Sequence, residues 1–207
     1  MSKTITQIVK IGMARQYEIY LDEEPSLTIH EDVLVKYGLH KGMEMEEAEW
    51  RDLLLAEEEN KVRQAALRYL SYRPRTRKEI QEHLIAKDFS IDRIHPVLQE
   101  LQDLGYVDDS AYAKSWVQER TRKGLGTFRI QQELKQKGIQ EVDISHALAQ
   151  TNLEEERQLA MEIAERRYLR IKHDPWQKVE RKLGNYLLRR GFSWEIIGPI
   201  LKELRNR

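Results

Sequence analysis

The stretch LIAKDFSIDRIHPVL, residues 84–98, returns in related form twice more along this 207-residue chain. It recurs as LKQKGIQEVDISHAL at 134–148 and as LLRRGFSWEIIGPIL at 187–201. Each copy has apolar residues at the first, sixth, eleventh and fifteenth positions of the quoted stretch. Their spacing is helical on both sides of a short polar turn. A period of this length is typical of tandem repeats, in which each repeat is one supersecondary unit. The sequence therefore predicts three copies of one helical unit.

Each unit is expected to contain a leading helix, a connector, a middle helix and a closing helix. Ser90 and Ser193 occupy equivalent positions and are suitable N-cap residues for the closing helices. Pro96 and Pro199 also share one register, which predicts a closing helix that is kinked or starts late. The predicted fold is mainly α, an elongated tandem array of three three-helix, helix-turn-helix-like repeats. The predicted repeat bounds are residues 46–109, 110–152 and 153–207.

Residues 1–45 differ from the rest and predict a small strand-containing N-terminal extension. TITQIVKI (4–11) and YEIYL (17–21) favour β-strands, DEEP (22–25) a turn, and SLTI (26–29) a third short strand. A short helix over EDVLVKYG should end at Gly38. Because so small a sheet is marginal alone, it should pack on the helix that begins near Glu44. The helical pattern of that next segment is interrupted at residues 57–60.

Composition narrows the class of protein. Charged residues make up 34% and hydrophobic residues 40% of the chain, and there is no cysteine. Disulfide and thiolate chemistry are therefore excluded. No apolar run approaches the roughly 20 residues of a membrane span, and the N-terminus lacks the apolar segment of a signal peptide. We expect a cytoplasmic protein with no membrane partner.

The zero net charge hides an asymmetry between the two ends of the chain. Residues 1–60 hold 6 Lys/Arg and 14 Asp/Glu, whereas residues 61–207 hold 29 and 21. The basic part could meet a polyanion or an acidic protein surface, or both parts could be ordinary solvated surface.

Two short motifs resemble catalytic sites. Tyr106-Val107-Asp108-Asp109 is similar to the magnesium-binding Tyr-x-Asp-Asp of polymerases, and Gly124-Leu125-Gly126 suggests a phosphate loop. The polymerase motif lies on a β-hairpin, whereas here Gly105 ends one helix and Asp108 or Asp109 caps the next. Tyr106 and Val107 should pack between the units. Gly124 and Gly126 fit a turn, since no Walker sequence is present.

Other chemistry is sparse. The six histidines are scattered without ligand spacing, and there is no Gly-x-Ser-x-Gly motif. We expect no catalytic residue, no metal and no cofactor.

Basic residues recur at equivalent places in the repeats and predict a binding stripe. Arginine dominates, and its planar group favours bidentate contact with phosphate or carboxylate. The alternative is pairing with the many glutamates of the chain. The candidates in the first two repeats are Arg73, Arg75, Arg77, Lys78, Arg120, Arg122, Lys123 and Arg129, and a third cluster includes Arg166, Arg167 and Arg170.

Several of these segments resemble the RecX family of RecA regulators. YVDDSAYAKSWVQER (106–120) is followed by G-x-G at 124–126 and by R-I-x-x-E-L-x-x-K-G-I at 129–139. The pattern L-x-x-R-x-x-[ST]-x-x-E-[IL]-x-x-x-L runs from Leu70 to Leu84. The resemblance covers about residues 61–204, and EDVLVKYGLHKGM (31–43) resembles the longer variants of Gram-positive bacteria.

The resemblance implies a non-enzymatic protein that binds in the groove of the RecA filament on single-stranded DNA. It implies inhibition of filament growth or promotion of disassembly, and so less recombination, ATP hydrolysis and SOS co-protease activity. We expect a monomer that contacts single-stranded DNA indirectly or weakly. Two alternatives are a tandem helix-turn-helix DNA-binding protein and a metal-dependent nuclease or polymerase built on Asp108 and Asp109.

Overall fold

The computed structural model describes residues 3–13, 15–149 and 151–206. The strands of this part are β1 (Lys3–Lys10), β2 (Gln16–Leu21), β3 (Glu24–His30) and β4 (Glu44–Met45). Its helices are α1 (Glu31–Lys36), α2 (Glu47–Leu70), α3 (Arg77–Ile85), α4 (Ile91–Asp103), α5 (Asp109–Arg122), α6 (Thr127–Gln136), α7 (Glu141–Leu148), α8 (Leu153–Tyr168), α9 (Trp176–Arg190) and α10 (Trp194–Arg205). The chain divides into two compact units, Met1–Arg73 with Ile80–Tyr106, and Pro74–Glu79 with Val107–Arg207.

The N-terminal strands form an antiparallel sheet in the order β3-β2-β1-β4. The hairpin between β2 and β3 turns on Asp22 and Glu23, whose φ angles are 51° and 71°. β3 therefore starts at Glu24, two residues before the predicted strand, and the predicted turn is shorter than DEEP. Pro25 is tolerated because β3 is an edge strand, where a missing N–H need not break a ladder bond.

The sheet packs on α2, as predicted for so small an extension. Leu53 of α2 is fully buried in one cluster with the sheet residues Ile5, Ile19 and Ile29. The gap in the apolar pattern at residues 57–60 does not end the helix, since α2 is continuous over 24 residues. Glu57 is buried there because its carboxylate accepts the backbone N–H of His30 at 2.9 Å, at the start of α1.

The predicted leading, middle and closing helices are present in every repeat. They are α2 to α4, α5 to α7 and α8 to α10, with α2 shared between the sheet and the first repeat. The repeat leucines, Leu84, Leu134 and Leu187, begin the three copies of the motif and are all fully buried. The mainly helical fold with three tandem units is therefore confirmed.

The turn after the middle helix has the same backbone in all three copies. Asp88, Gly138 and Gly191 occupy equivalent positions with φ angles of 65°, 80° and 92°. The next residue in each copy donates its N–H to the carbonyl of its repeat leucine, at 3.3, 3.1 and 3.2 Å. Asp88 has a left-handed conformation that favours glycine, which aspartate tolerates better than most side chains. The turn thus has the same backbone conformation in all three repeats, although its residue is aspartate in the first and glycine in the other two.

The closing helices α4 and α10 contain their prolines without a delayed start. Ser90 and Ser193 are the N-cap residues, as predicted, although neither hydroxyl makes a capping hydrogen bond. Pro96 and Pro199 lie well inside helices that begin at Ile91 and Trp194, so the late-start alternative is wrong.

Asp174 links the α8–α9 loop to α9 and gives a pH-dependent prediction. Its carboxylate accepts hydrogen bonds from Lys178 at 2.8 Å and Lys182 at 2.7 Å, and these bonds lower its pKa to about 2. A carboxyl whose pKa is lower in the folded state adds stability above its unfolded pKa, and that stability is lost as pH falls. We expect Asp174→Asn to flatten the dependence of the unfolding free energy on pH between about pH 4 and 2. Urea titrations at several pH values test this, and parallel curves for the two proteins would refute it.

Candidate binding surface

The two carboxylates of the Tyr-x-Asp-Asp segment both bind helix N-termini. Asp108 is the N-cap of α5, and its Oδ1 accepts the Ala111 N–H at 2.8 Å. Oδ1 of Asp109 accepts the Arg77 N–H at 2.9 Å, at the start of α3. Burial is the main effect on Asp109 and raises its pKa, against the lowering by the Arg77 N–H, with a further rise from nearby Asp143. The pair therefore holds helix ends in place.

The three residues before this pair differ in backbone conformation and in exposure. Gly105 ends α4 with a φ of 75°, and the N–H of Tyr106 donates to Leu101. The expectation that Tyr106 is packed needs correction, because its side chain is 59% exposed while Val107 is buried. The chain leaves the turn with Val107, and not Tyr106, facing inward.

Gly124 and Gly126 lie where the second and third repeats meet. Gly124 has a φ of 76°, and a Cβ there would lie 2.9 Å from Nη1 of Arg190. The N–H of Gly126 donates to the Arg190 carbonyl at 2.8 Å, and a Cβ would overlap the Gly191 carbonyl oxygen. Both glycines allow close approach of α9 to the turn before α6.

The start of a middle helix contacts the following repeat in a matched way. Oγ1 of Thr76 donates to the Lys137 carbonyl at 2.8 Å, at the position equivalent to the Gly126–Arg190 bond. The N–H of Thr127, at the start of α6, donates to Glu156 at 2.8 Å, as Arg77 does to Asp109. A carboxylate at the positive end of a helix dipole is favourable. The donors Arg77 and Thr127 share one repeat position, whereas the acceptors differ, since Asp109 is the first residue of α5 and Glu156 the fourth of α8.

Three predicted surface cations pair within the protein. Arg120 lies 3.9 Å above the Trp116 ring and 2.8 Å from Glu133, although its Nε–H is not aligned for a hydrogen bond. Arg129 contacts Glu133 at 3.3 Å and donates to the Arg189 carbonyl at 2.9 Å. Lys123 pairs with Glu119. Intramolecular pairing, the alternative stated above, therefore applies to these residues.

The remaining candidates are distributed over both compact units. Lys78 is exposed, and its Nζ donates to the Gln136 carbonyl at 3.1 Å. Arg73 is exposed, Arg75 and Arg77 are half-buried, and each takes part in an interaction within the protein. A single stripe through all eight cations stays a prediction.

Two of the eight candidates, Arg122 and Lys123, line a cavity in the second compact unit together with four arginines of the third repeat. This arginine pocket has a volume of about 300 Å³, and its basic lining residues are Arg122, Lys123, Arg166, Arg167, Arg170 and Arg190. The sequence singled out most of these separately but not Arg190. Arg190 is the third-repeat equivalent of Lys137, the C-cap of α6, so the repeat itself places a basic residue at this position.

Neither a membrane helix nor a metal cluster is found in the described part of the chain. Among residues 3–13, 15–149 and 151–206, no helix is both long and apolar enough to cross a membrane. Within the same residues, no group of three or more His, Asp or Glu side chains is placed to hold a metal ion.

Comparison with known proteins assigns the three repeats in order. Residues 63–101 match the family model for the first RecX three-helix domain, 108–148 the second and 154–201 the third. A "Regulatory protein RecX" from Bacillus cytotoxicus is 33% identical in an alignment 210 positions long, which covers 98% of this chain and 77% of that protein. One from Limosilactobacillus reuteri is 34% identical over 190 residues, 91% and 72% of the two chains.

Solved structures agree with these matches. A crystal structure of regulatory protein RecX superposes with a TM-score of 0.83 at 32% identity, covering 96% of this chain and 98% of that one. RecX from Lactobacillus salivarius gives a TM-score of 0.68 at 33% identity, covering 73% and 99%. The chain belongs to the RecX family of regulatory proteins.

Proposed function

We propose that the protein is a non-catalytic modulator of the RecA recombinase that acts as a monomer in the cytoplasm. It binds in the groove of the RecA filament on single-stranded DNA and limits filament growth or promotes disassembly. Recombination, ATP hydrolysis and SOS co-protease activity fall as a result. The observation that carries the proposal is the match of all three repeats, in order, to a family whose members are named regulatory proteins.

The repeat architecture supports a binding role of this kind. Three linked units can each contribute a weak contact to a periodic partner, and linked contacts reinforce one another by raising the effective concentration. Exposed cations such as Lys78 and Arg122 offer groups that attract acidic protein surfaces or phosphates. Cations at the edge of an interface mainly affect the association rate and the dependence on salt.

The exposed face of the closing helix of the second repeat counts against duplex DNA reading. α7 exposes Glu141, Val142, Ser145 and His146, a face with no lysine or arginine. A recognition helix in the major groove needs donors for phosphates and base edges. α10 exposes Lys202 and Arg205 besides Glu195, so the argument applies to α7 and not to α10.

Co-sedimentation with RecA filaments tests the proposal. We expect the protein to pellet with filaments assembled on single-stranded DNA. Arg75→Glu with Arg77→Glu should weaken that binding about tenfold, equivalent to about 1.4 kcal/mol, with the helical circular dichroism spectrum unchanged. A protein that stays in the supernatant at micromolar concentration would contradict the proposal. Binding that ignores the double charge reversal would remove these two arginines from the interface.

A further inference from the structure

The arginine pocket lies between the second and third repeats, inside the second compact unit. We propose that it binds phosphate groups of a single-stranded nucleic acid. The inference deepens the proposed function and rests on it for its setting on a DNA-bound filament. Six cations line about 300 Å³, and the other lining residues are Gly124, Leu159, Ile163 and Tyr186. No carboxylate is among the lining residues.

Arg190 is held in place by backbone carbonyls and an aromatic ring. Its Nη1 donates to the carbonyls of Gly124 at 2.9 Å and Lys123 at 3.3 Å, at the C-terminus of α5. Its guanidinium also lies 5.1 Å from the centre of the Tyr186 ring. None of these partners is a carboxylate, so the guanidinium is positioned without forming an ion pair. Gly124 makes the approach possible, because a side chain there would meet Nη1 of Arg190.

Arg167, on α8, lies near the same tyrosine ring as Arg190. Its guanidinium lies 5.4 Å from the centre of the Tyr186 ring, and its Nε is buried without a hydrogen-bond partner in the described part of the chain. A buried donor without an acceptor is unfavourable, and no described group of the protein uses the hydrogen-bonding capacity of this Nε.

The exposed members of the pocket add charge at its rim. Arg122 and Arg170 are exposed, and neither forms an ion pair with any described residue of the chain. Arg166 donates its Nε–H to the Glu162 carbonyl at 3.2 Å, and its Nη2 lies 3.5 Å from the exposed carboxylate of Glu162. Six cations around one cavity, with no carboxylate in its lining, create a positive potential that attracts anions.

The lining selects phosphate over other anions and over nucleosides. Arginine's planar group binds phosphate oxygens in pairs, and several arginines suit a chain of phosphates better than a single carboxylate. The Tyr186 ring already carries two guanidinium groups, so it offers little free surface for a base. A site that recognises phosphate alone fits sequence-independent contact with a nucleic-acid backbone.

Fluorescence anisotropy with a labelled oligothymidylate tests the inference in the absence of RecA, so its failure is separate from failure of the proposed function. The pocket variant is Arg122→Ala with Arg170→Ala. The matched control is Lys202→Ala with Arg205→Ala, which removes the same charge from exposed positions of α10. We expect the pocket variant to bind at least about tenfold more weakly, and its salt slope to fall by about 1.4, the value for two lost single-strand phosphate contacts. The control should change affinity less than about twofold.

Equal losses in the two variants would show diffuse charge attraction and overturn the inference. Inorganic pyrophosphate and ATP distinguish the sources of phosphate in the same assay. If they bind the wild type but not the pocket variant, while oligothymidylate binds both proteins equally, the pocket takes free phosphates and the nucleic-acid assignment is wrong. Unchanged thermal midpoints for both variants exclude unfolding as the cause.

Discussion

Replacing Gly191 by alanine lowers the unfolding free energy by about 3 kcal/mol, a sum of left-handed strain and overlap. Gly191 has a φ of 92°, and a Cβ there would lie within 2.5 Å of the Arg129 backbone nitrogen. Relief would require α6 and α9 to separate, which would break the Gly126–Arg190 hydrogen bond. Urea denaturation followed by circular dichroism and tryptophan fluorescence measures the loss.

Gly198→Ala is the matched control for this substitution. Gly198 lies inside α10, and a Cβ there meets no atom within 4 Å apart from its chain neighbours and the helix's own backbone. Alanine is the better helix former, but the ring of Pro199 crowds a Cβ on the residue before it, so we expect Gly198→Ala to change stability by no more than about 0.5–1 kcal/mol. Equal effects of the two substitutions would contradict the close approach at Gly191.

Removing the Glu156 carboxylate should cost about 2–3 kcal/mol, the usual range for losing a charged hydrogen-bond partner. Glu156 is only 6% exposed, and its oxygens accept the Thr127 N–H at 2.8 Å and the Thr127 hydroxyl at 3.3 Å. Glu156→Ala leaves the first turn of α6 without this acceptor. Glu156→Gln keeps one acceptor oxygen and should retain part of the stability. Urea denaturation of both variants measures the difference.

Glu155→Ala separates the hydrogen bonds from the helix dipole. Glu155 is exposed and shares the first turn of α8 with Glu156, so both substitutions remove a charge near the same helix end. The loss at Glu155 should stay within about 0.5 kcal/mol. If Glu155→Ala cost as much as Glu156→Ala, the contact with Thr127 would have no particular role.

Local periodicity was enough to predict the helices and the repeat. The spacing of Leu84, Leu134 and Leu187 reports burial directly, since apolar residues at helical intervals mark the inner face. The buried carboxylates were not predictable in this way. Glu57 bonds to a backbone N–H 27 residues away and Glu156 to one 29 residues away, and nothing in the local pattern fixes those partners. Glu57 therefore falls in a gap of the apolar pattern although it is buried in a continuous helix.

The basic residues illustrate a second limit of sequence reasoning. Lys123 and Arg129 are surface candidates by sequence, yet each has a glutamate four residues away in the chain, Glu119 and Glu133 respectively. That spacing favours ion pairs and was available from the sequence. The arginine pocket was not, because it forms only when α5, α8 and α9 pack together.

The rate of ATP hydrolysis by RecA on single-stranded DNA shows whether the protein modulates RecA filaments. The protein is titrated into preformed filaments from well below one molecule per RecA up to equimolar amounts. We expect the rate to fall already at the low ratios, because blocking growth or releasing protomers affects many RecA molecules at once. A rate that stays constant up to equimolar protein would contradict it.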